Sequence, residues 1–105
     1  MSSEDFDRVQ RENDRFRQSL DAGNASIFWQ ANLIGRGRKF CNAVLQAIRE
    51  QRDFTSDVVG LHDWGTVMIE GRRIEWTLVY LDDNAEDAPP SRATRRVLTI
   101  ASAVQ

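Results

Sequence analysis

The chain of 105 residues holds one cysteine, Cys41, one histidine, His62, one tyrosine, Tyr80, and one lysine, Lys39, against thirteen arginines. A lone cysteine excludes a disulfide framework within the chain and fits a reducing cytoplasm. One histidine and one cysteine supply no ligand spacing for zinc, so neither a metal nor another cofactor is expected. No apolar run approaches the roughly 20 residues that a membrane helix needs, and the acidic N-terminus lacks the apolar stretch of a secretory leader. These absences point to a cytoplasmic protein that leaves the membrane alone. A net charge of -2 argues against a general nucleic-acid binder. The only prolines, Pro89 and Pro90, lie in a polar loop that begins with the acidic run Asp82-Asp83-Asn84-Ala85-Glu86-Asp87. That run lacks the glycine and terminal glutamate of a calcium loop.

What is present reads as one α+β domain over residues 1–105. The most telling segment is 62–80, a β-hairpin. Gly71-Arg72 is a two-residue turn with glycine at the first central position, where φ must be positive. Pairing outward from it sets Ile69 opposite Ile74, Val67 opposite Trp76 and Gly65 opposite Leu78 on a core face. The other face carries Trp64 with Val79, Thr66 with Thr77, Met68 with Glu75 and Glu70 with Arg73.

Upstream, Phe6, Val9, Asn13, Phe16 and Leu20 recur at helical spacing, so a helix is expected over about 4–22. Ser2 or Ser3 would cap it, Arg8 with Glu12 and Asp14 with Arg17 or Gln18 would lace its wet face, and Gly23-Asn24 would stop it. Residues 25–31 alternate as a strand, with Ile27, Trp29 and Ala31 on one side and Phe28 on the other. After the break at Gly35-Arg36-Gly37, a second helix runs from Arg38 or Lys39 to about Gln51, burying Phe40, Cys41, Val44, Leu45 and Ile48. Residues 53–61 form a loop that packs Phe54. Arg95 to Ala103 closes the chain as a strand, a helix being the alternative. The order α-β-α-β-β-β implies a two-layer domain, an antiparallel sheet of about four strands with two helices on one face.

Several blocks resemble an alphaproteobacterial family, number 3768 among the domains of unknown function, often encoded on mobile elements. They are Asn13-Asp14 with Arg17, Asp53-Phe54, Gly60 with His62-Asp63-Trp64-Gly65, Trp76 with Tyr80 and Asp82, and Arg96-Val97-Leu98-Thr99-Ile100. The chain departs from the family pattern at Leu61, Thr77, Val79 and the tail Ala103-Val104-Gln105. The resemblance implies a small cytoplasmic protein with a mobile-element setting and carries no activity.

The residues themselves assemble no catalytic constellation. His62 and Asp63 form a candidate polar site, but neighbours on a strand point to opposite faces and cannot act as a dyad. Asp63 is expected to tie the loop backbone. Cys41 sits on an apolar helix face. Gly35-Arg36-Gly37 before a helix could cradle a phosphate, yet lacks a full phosphate-loop pattern. Two candidate partner surfaces follow. One is Trp64, Met68 and Val79, too apolar for a wet sheet face. The other is Arg36, Arg38 and Lys39, cations at the helix end where the dipole disfavours them, unless an anion docks there or the acidic segments fold over them. The leading expectation is a non-enzymatic interaction protein that occludes a macromolecular partner, in its concrete form a mobile-element inhibitor of host defence of the anti-CRISPR or anti-restriction kind. The partner would be a protein, with a homodimer or a nucleic acid as further partners. The alternatives are a small nucleic-acid or nucleotide-binding accessory protein and an enzyme built on His62 and Asp63.

Overall fold

The computed structural model describes residues 1–20, 26–54 and 60–103. Helix α1 spans Ser3–Gln18. The Asp5 N–H donates to the Ser2 hydroxyl at 3.1 Å, satisfying one of the amides that a first turn leaves unpaired. Its stripe is as the spacing implies: Val9, Asn13 and Leu20 are buried, Phe6 and Phe16 half-buried. Arg8 pairs with Glu12 at 3.0 Å and Arg17 with Asp14 at 3.1 Å. Arg17, however, is no wet-face residue; it is 1% exposed. The helix closes at Ser19, and the Gly23-Asn24 stop lies outside the described residues.

Strand β1 is shorter than its alternation suggests, Ile27–Trp29. Gln30 leaves the sheet: its N–H donates to the Ile100 carbonyl, and it then caps a one-turn helix, α2 (Ala31–Ile34), which buries Leu33. Ala31 is therefore helical, and the domain has a helical element beyond the two expected. Gly37, at φ 98°, turns the chain into helix α3 (Arg38–Glu50), whose Phe40, Val44, Leu45 and Ile48 are buried. Strands β2 (Trp64–Ile69), β3 (Arg72–Leu81) and β4 (Arg95–Ser102) follow, with a 3-10 turn at Pro90–Arg92.

The sheet order is β1-β4-β3-β2. It is mixed rather than antiparallel, because β1 pairs with β4 in parallel while β2, β3 and β4 form an antiparallel meander. Chain direction accounts for this. The helical crossover after β1 brings β2 back in the direction of β1. A meander returns β4 to the direction of β2, so β4 beside β1 is parallel. The core gathers Phe40, Val44, Leu45 and Ile48 of α3 with Ile74, Trp76, Leu78, Leu98 and Ile100 of the sheet. Helix α1 rests chiefly on α3 and the 3-10 turn, so the helices do not form the simple pair over the sheet that the element order suggests.

The hairpin register differs from the expected one by two residues. Gly65 lies opposite Trp76, Val67 opposite Ile74 and Ile69 opposite Arg72. The turn is Glu70-Gly71, both with positive φ (54° and 77°), the mirror-image turn that matches strand twist. A shift of two preserves faces, so Ile74, Trp76 and Leu78 are buried and Glu75 exposed. The physical reason is space. A β-carbon on residue 65 would lie 2.9 Å from Trp76 Nε1 and 2.6 Å from the Gln51 amide, so only glycine fits under the indole.

Candidate functional site

His62 sits where the chain enters β2, in a left-handed conformation at φ 60° that a non-glycine residue holds at a cost. Its Nδ1 is 3.0 and 3.2 Å from the two carboxylate oxygens of Asp14. A carboxylate only accepts, so the proton is on Nδ1. Phe54 stacks on the imidazole at 4.0 Å, nearly parallel, and the Arg17 guanidinium lies 5.0 Å over the other ring, Phe54. Asp63 goes elsewhere: its carboxylate accepts from the Tyr80 hydroxyl at 2.9 Å. The two neighbours take different partners, but not through strand alternation: β2 begins at Trp64 and His62 is left-handed, so both precede the strand expected to hold them, and Asp63 ties a side chain rather than the loop backbone through its carboxylate.

These contacts belong to one network that pins α1 to the sheet. Asn13, fully buried, donates from Nδ2 to the Leu61 carbonyl (3.0 Å) and to Tyr80 Oη (2.8 Å), and accepts from Arg96 Nε (2.6 Å). Arg96 also reaches Glu12 at 3.1 Å and lies over the Tyr80 ring. Arg17 Nη1 donates to the carbonyls of Ile48, Arg49 and Gln51 at 2.6, 3.1 and 3.0 Å. It so closes the C-terminus of α3, whose last carbonyls have no intrahelical partner. Burial raises the Tyr80 hydroxyl pKa well above its ordinary value, and the Asp63 carboxylate adds to that while the Asn13 hydrogen bond opposes it. Burial likewise raises that of the half-buried Cys41 thiol. Among the described residues no three of His, Cys, Asp and Glu come together as metal ligands.

Asp14, Arg17 and Tyr80 are absent from the site expected from sequence, although each stands in a block that carries the family resemblance. Asn13 was the available signal. A polar residue in the apolar stripe of a helix implies a buried hydrogen-bond partner set.

The second candidate, the outer face of the sheet, carries Trp64, Met68 and Val79. Met68 is 64% exposed and Val79 36%, while Trp64 is half-buried. The register separates them. Trp64 lies opposite Thr77, Met68 opposite Arg73, and Val79 opposite Val97 on β4. Phe28, 67% exposed, joins them. It aligns through Thr99 and Thr77 with Trp64, one row across all four strands. Its outward side was legible in the alternation of 27–29. The floor between Phe28 and Trp64 is Thr99 and Thr77, and the next row holds Thr66, the exposed Glu75 and Ala101.

Arg36, Arg38 and Lys39 are exposed at the start of α3, and Arg36 stacks on Phe40 at 5.0 Å. Among the described residues none of the three forms an ion pair. The acidic block does not fold over them. Asp82 turns it on itself, its Oδ1 accepting from the Asn84 and Glu86 N–H groups at 2.8 and 3.0 Å.

Residues 31–105 match the profile of a family described as "Protein of unknown function (DUF3768)". The match covers more than half of the chain, which belongs to that family. Asn13, Asp14 and Arg17 fall outside the matched span, so α1 contributes its half of the polar network from beyond it. No curated protein and no solved structure matches the chain. Among the described residues no helix is long and apolar enough to cross a membrane.

Proposed function

We propose that the protein acts by binding another protein on the outer face of its sheet and occluding it. The carrying observation is that face itself. The core, with the α3 side chains, lies against one side of four strands, while the other side exposes Phe28, Met68 and Val79 among threonines and an alanine, with Arg73 and Glu75 as its charged members. Large exposed apolar side chains on a sheet face without a covering layer, ringed by polar groups, fit a contact site. In this reading the Asp14–His62 pair serves the fold. Its imidazole is held between Phe54 and the carboxylate as part of the network that fastens α1. With the resemblance described above, the reading extends to a cytoplasmic inhibitor of host defence encoded on a mobile element. A second reading, binding of nucleic acid, is favoured by one observation, the exposed Arg36, Arg38 and Lys39 without carboxylate partners among the described residues.

The test is affinity capture from bacterial host lysate with the wild type and Phe28→Ala. The expected result is a partner recovered despite nuclease treatment, with Phe28→Ala costing about 2 kcal/mol of binding, in the range of interface hot spots. Recovery that nuclease abolishes, and that Arg36→Glu with Arg38→Glu removes, transfers the function to the basic end of α3.

A further inference from the structure

The two edges of the sheet are unlike. β1 pairs along three residues, and a short edge resists further pairing. β2 is a six-residue edge, Trp64-Gly65-Thr66-Val67-Met68-Ile69, in unbroken register with β3. It has no charge, no proline and no bulge, the devices that natural edges use against association. Its hydrogen-bonding alternation is set by the Leu78 N–H, which donates to the Asp63 carbonyl at 2.8 Å. Asp63, Gly65, Val67 and Ile69 therefore face β3 with their backbone groups, and those of Trp64, Thr66 and Met68 point away from the sheet. Among the described residues these three make no backbone hydrogen bond to another segment.

We propose that β2 pairs antiparallel with β2 of a second copy, about a two-fold axis through Thr66, joining the two sheets into one of eight strands. Outward-bonding residues pair with outward-bonding residues, so even numbers meet even numbers. One register engages all three on each side. It sets Thr66 opposite Thr66 of the partner subunit and Trp64 opposite Met68 of the partner subunit, twice by symmetry. The side chains agree with the backbone. Thioether on indole is a favourable contact, as is threonine on threonine across strands. On the inner face Gly65 stands opposite Val67 of the partner subunit, so a bulky residue meets a small one. No like charges oppose each other. The interface is isologous, so it closes at two copies and consumes the open edges. A second copy is the occupant because segment 64–68 complements itself, large at both ends and small between.

This pairing does not rest on the docking proposal: it engages Trp64 and Met68 at the edge and leaves Phe28 and Val79 of the outer face open. Sedimentation velocity at tens of micromolar tests it with the wild type, Thr66→Pro and Met68→Lys. Thr66→Pro removes one outward N–H that β3 does not use. Met68→Lys adds the charge that edges ordinarily carry. The expected result is a wild-type dimer and two variants that sediment as monomers with wild-type circular dichroism. Should Thr66→Pro fail to fold, Met68→Lys decides alone. A monomeric wild type overturns the proposal, and so does a dimer that survives the folded variants. Phe28→Ala is expected to leave the dimer intact, so failure of the docking reading is distinguishable.

Discussion

Gly65 lies directly beneath Trp76, and the missing β-carbon is what lets the indole N–H reach Gln51 Oε1 at 2.9 Å. A β-carbon there would approach within 2.6 Å of one amide atom and 2.8 Å of the other. Gly65→Ala is therefore expected to displace Gln51 and break the bond. The loss should be about 1–3 kcal/mol, the combined scale of overpacking and an unsatisfied buried donor. Urea denaturation reads the loss, and fluorescence in a background with Trp29→Phe and Trp64→Phe, which leaves Trp76 as the only emitter among three tryptophans, reads the change around the indole. A variant as stable as the wild type would show that the glycine is not required.

Arg17 joins the C-terminus of α3 to α1 through three carbonyls and Asp14, at 1% exposure. Arg17→Met keeps the aliphatic volume and removes every donor. It leaves carbonyls of Ile48 and Gln51 without this partner. The expected cost is about 3 kcal/mol, in the lower part of the range for breaking a buried charged contact. Thermal unfolding of the variant checks it, and a change below about 0.5 kcal/mol, the scale of surface substitutions, would refute the structural role.

Tyr80 is the only tyrosine, and burial shifts its hydroxyl pKa upward in the folded state. Above pH of about 10, where an unfolded tyrosine ionises, the folded chain holds this proton more firmly. Its stability contribution is complete below that pH and is lost as pH rises toward the folded value. Tyr80→Phe leaves Asn13 Nδ2 and Asp63 Oδ2 without this partner, at a cost of about 1–2 kcal/mol near neutrality. The gap between variant and wild type is then expected to narrow above pH of about 10. Denaturant midpoints across the alkaline range measure it, and a constant gap would contradict the assignment.

Much of the fold was legible in the chain because periodicity is local. The stripe Phe6, Val9, Asn13, Phe16 and Leu20 and the apolar face of 38–50 specify helices with buried sides, and alternation in 72–81 and 95–102 specifies strands with buried even-numbered residues. Face assignment in the hairpin survived a two-residue error in register because side-chain direction repeats every two residues. The register itself was not local. It turned on whether Trp76 had room, and the room comes from Gly65 and the amide of Gln51, 25 residues from Trp76. The parallel pairing of β1 with β4 likewise depends on where the helical crossover delivers β2.

The candidate site divides in the same way. That Phe28, Met68 and Val79 face away from the core follows from alternation alone, because each flanks buried or half-buried neighbours. Which residue His62 meets does not. Its partner, Asp14, lies 48 positions away on α1. A helix sequence specifies which face is apolar and leaves open where the helix docks. Only the packing of α1 against α3 and the 3-10 turn brings Asp14 to His62, Asn13 to Tyr80 and Arg17 to the end of α3. Each of those contacts is a pairing of polar groups that burial makes obligatory and that no periodicity encodes.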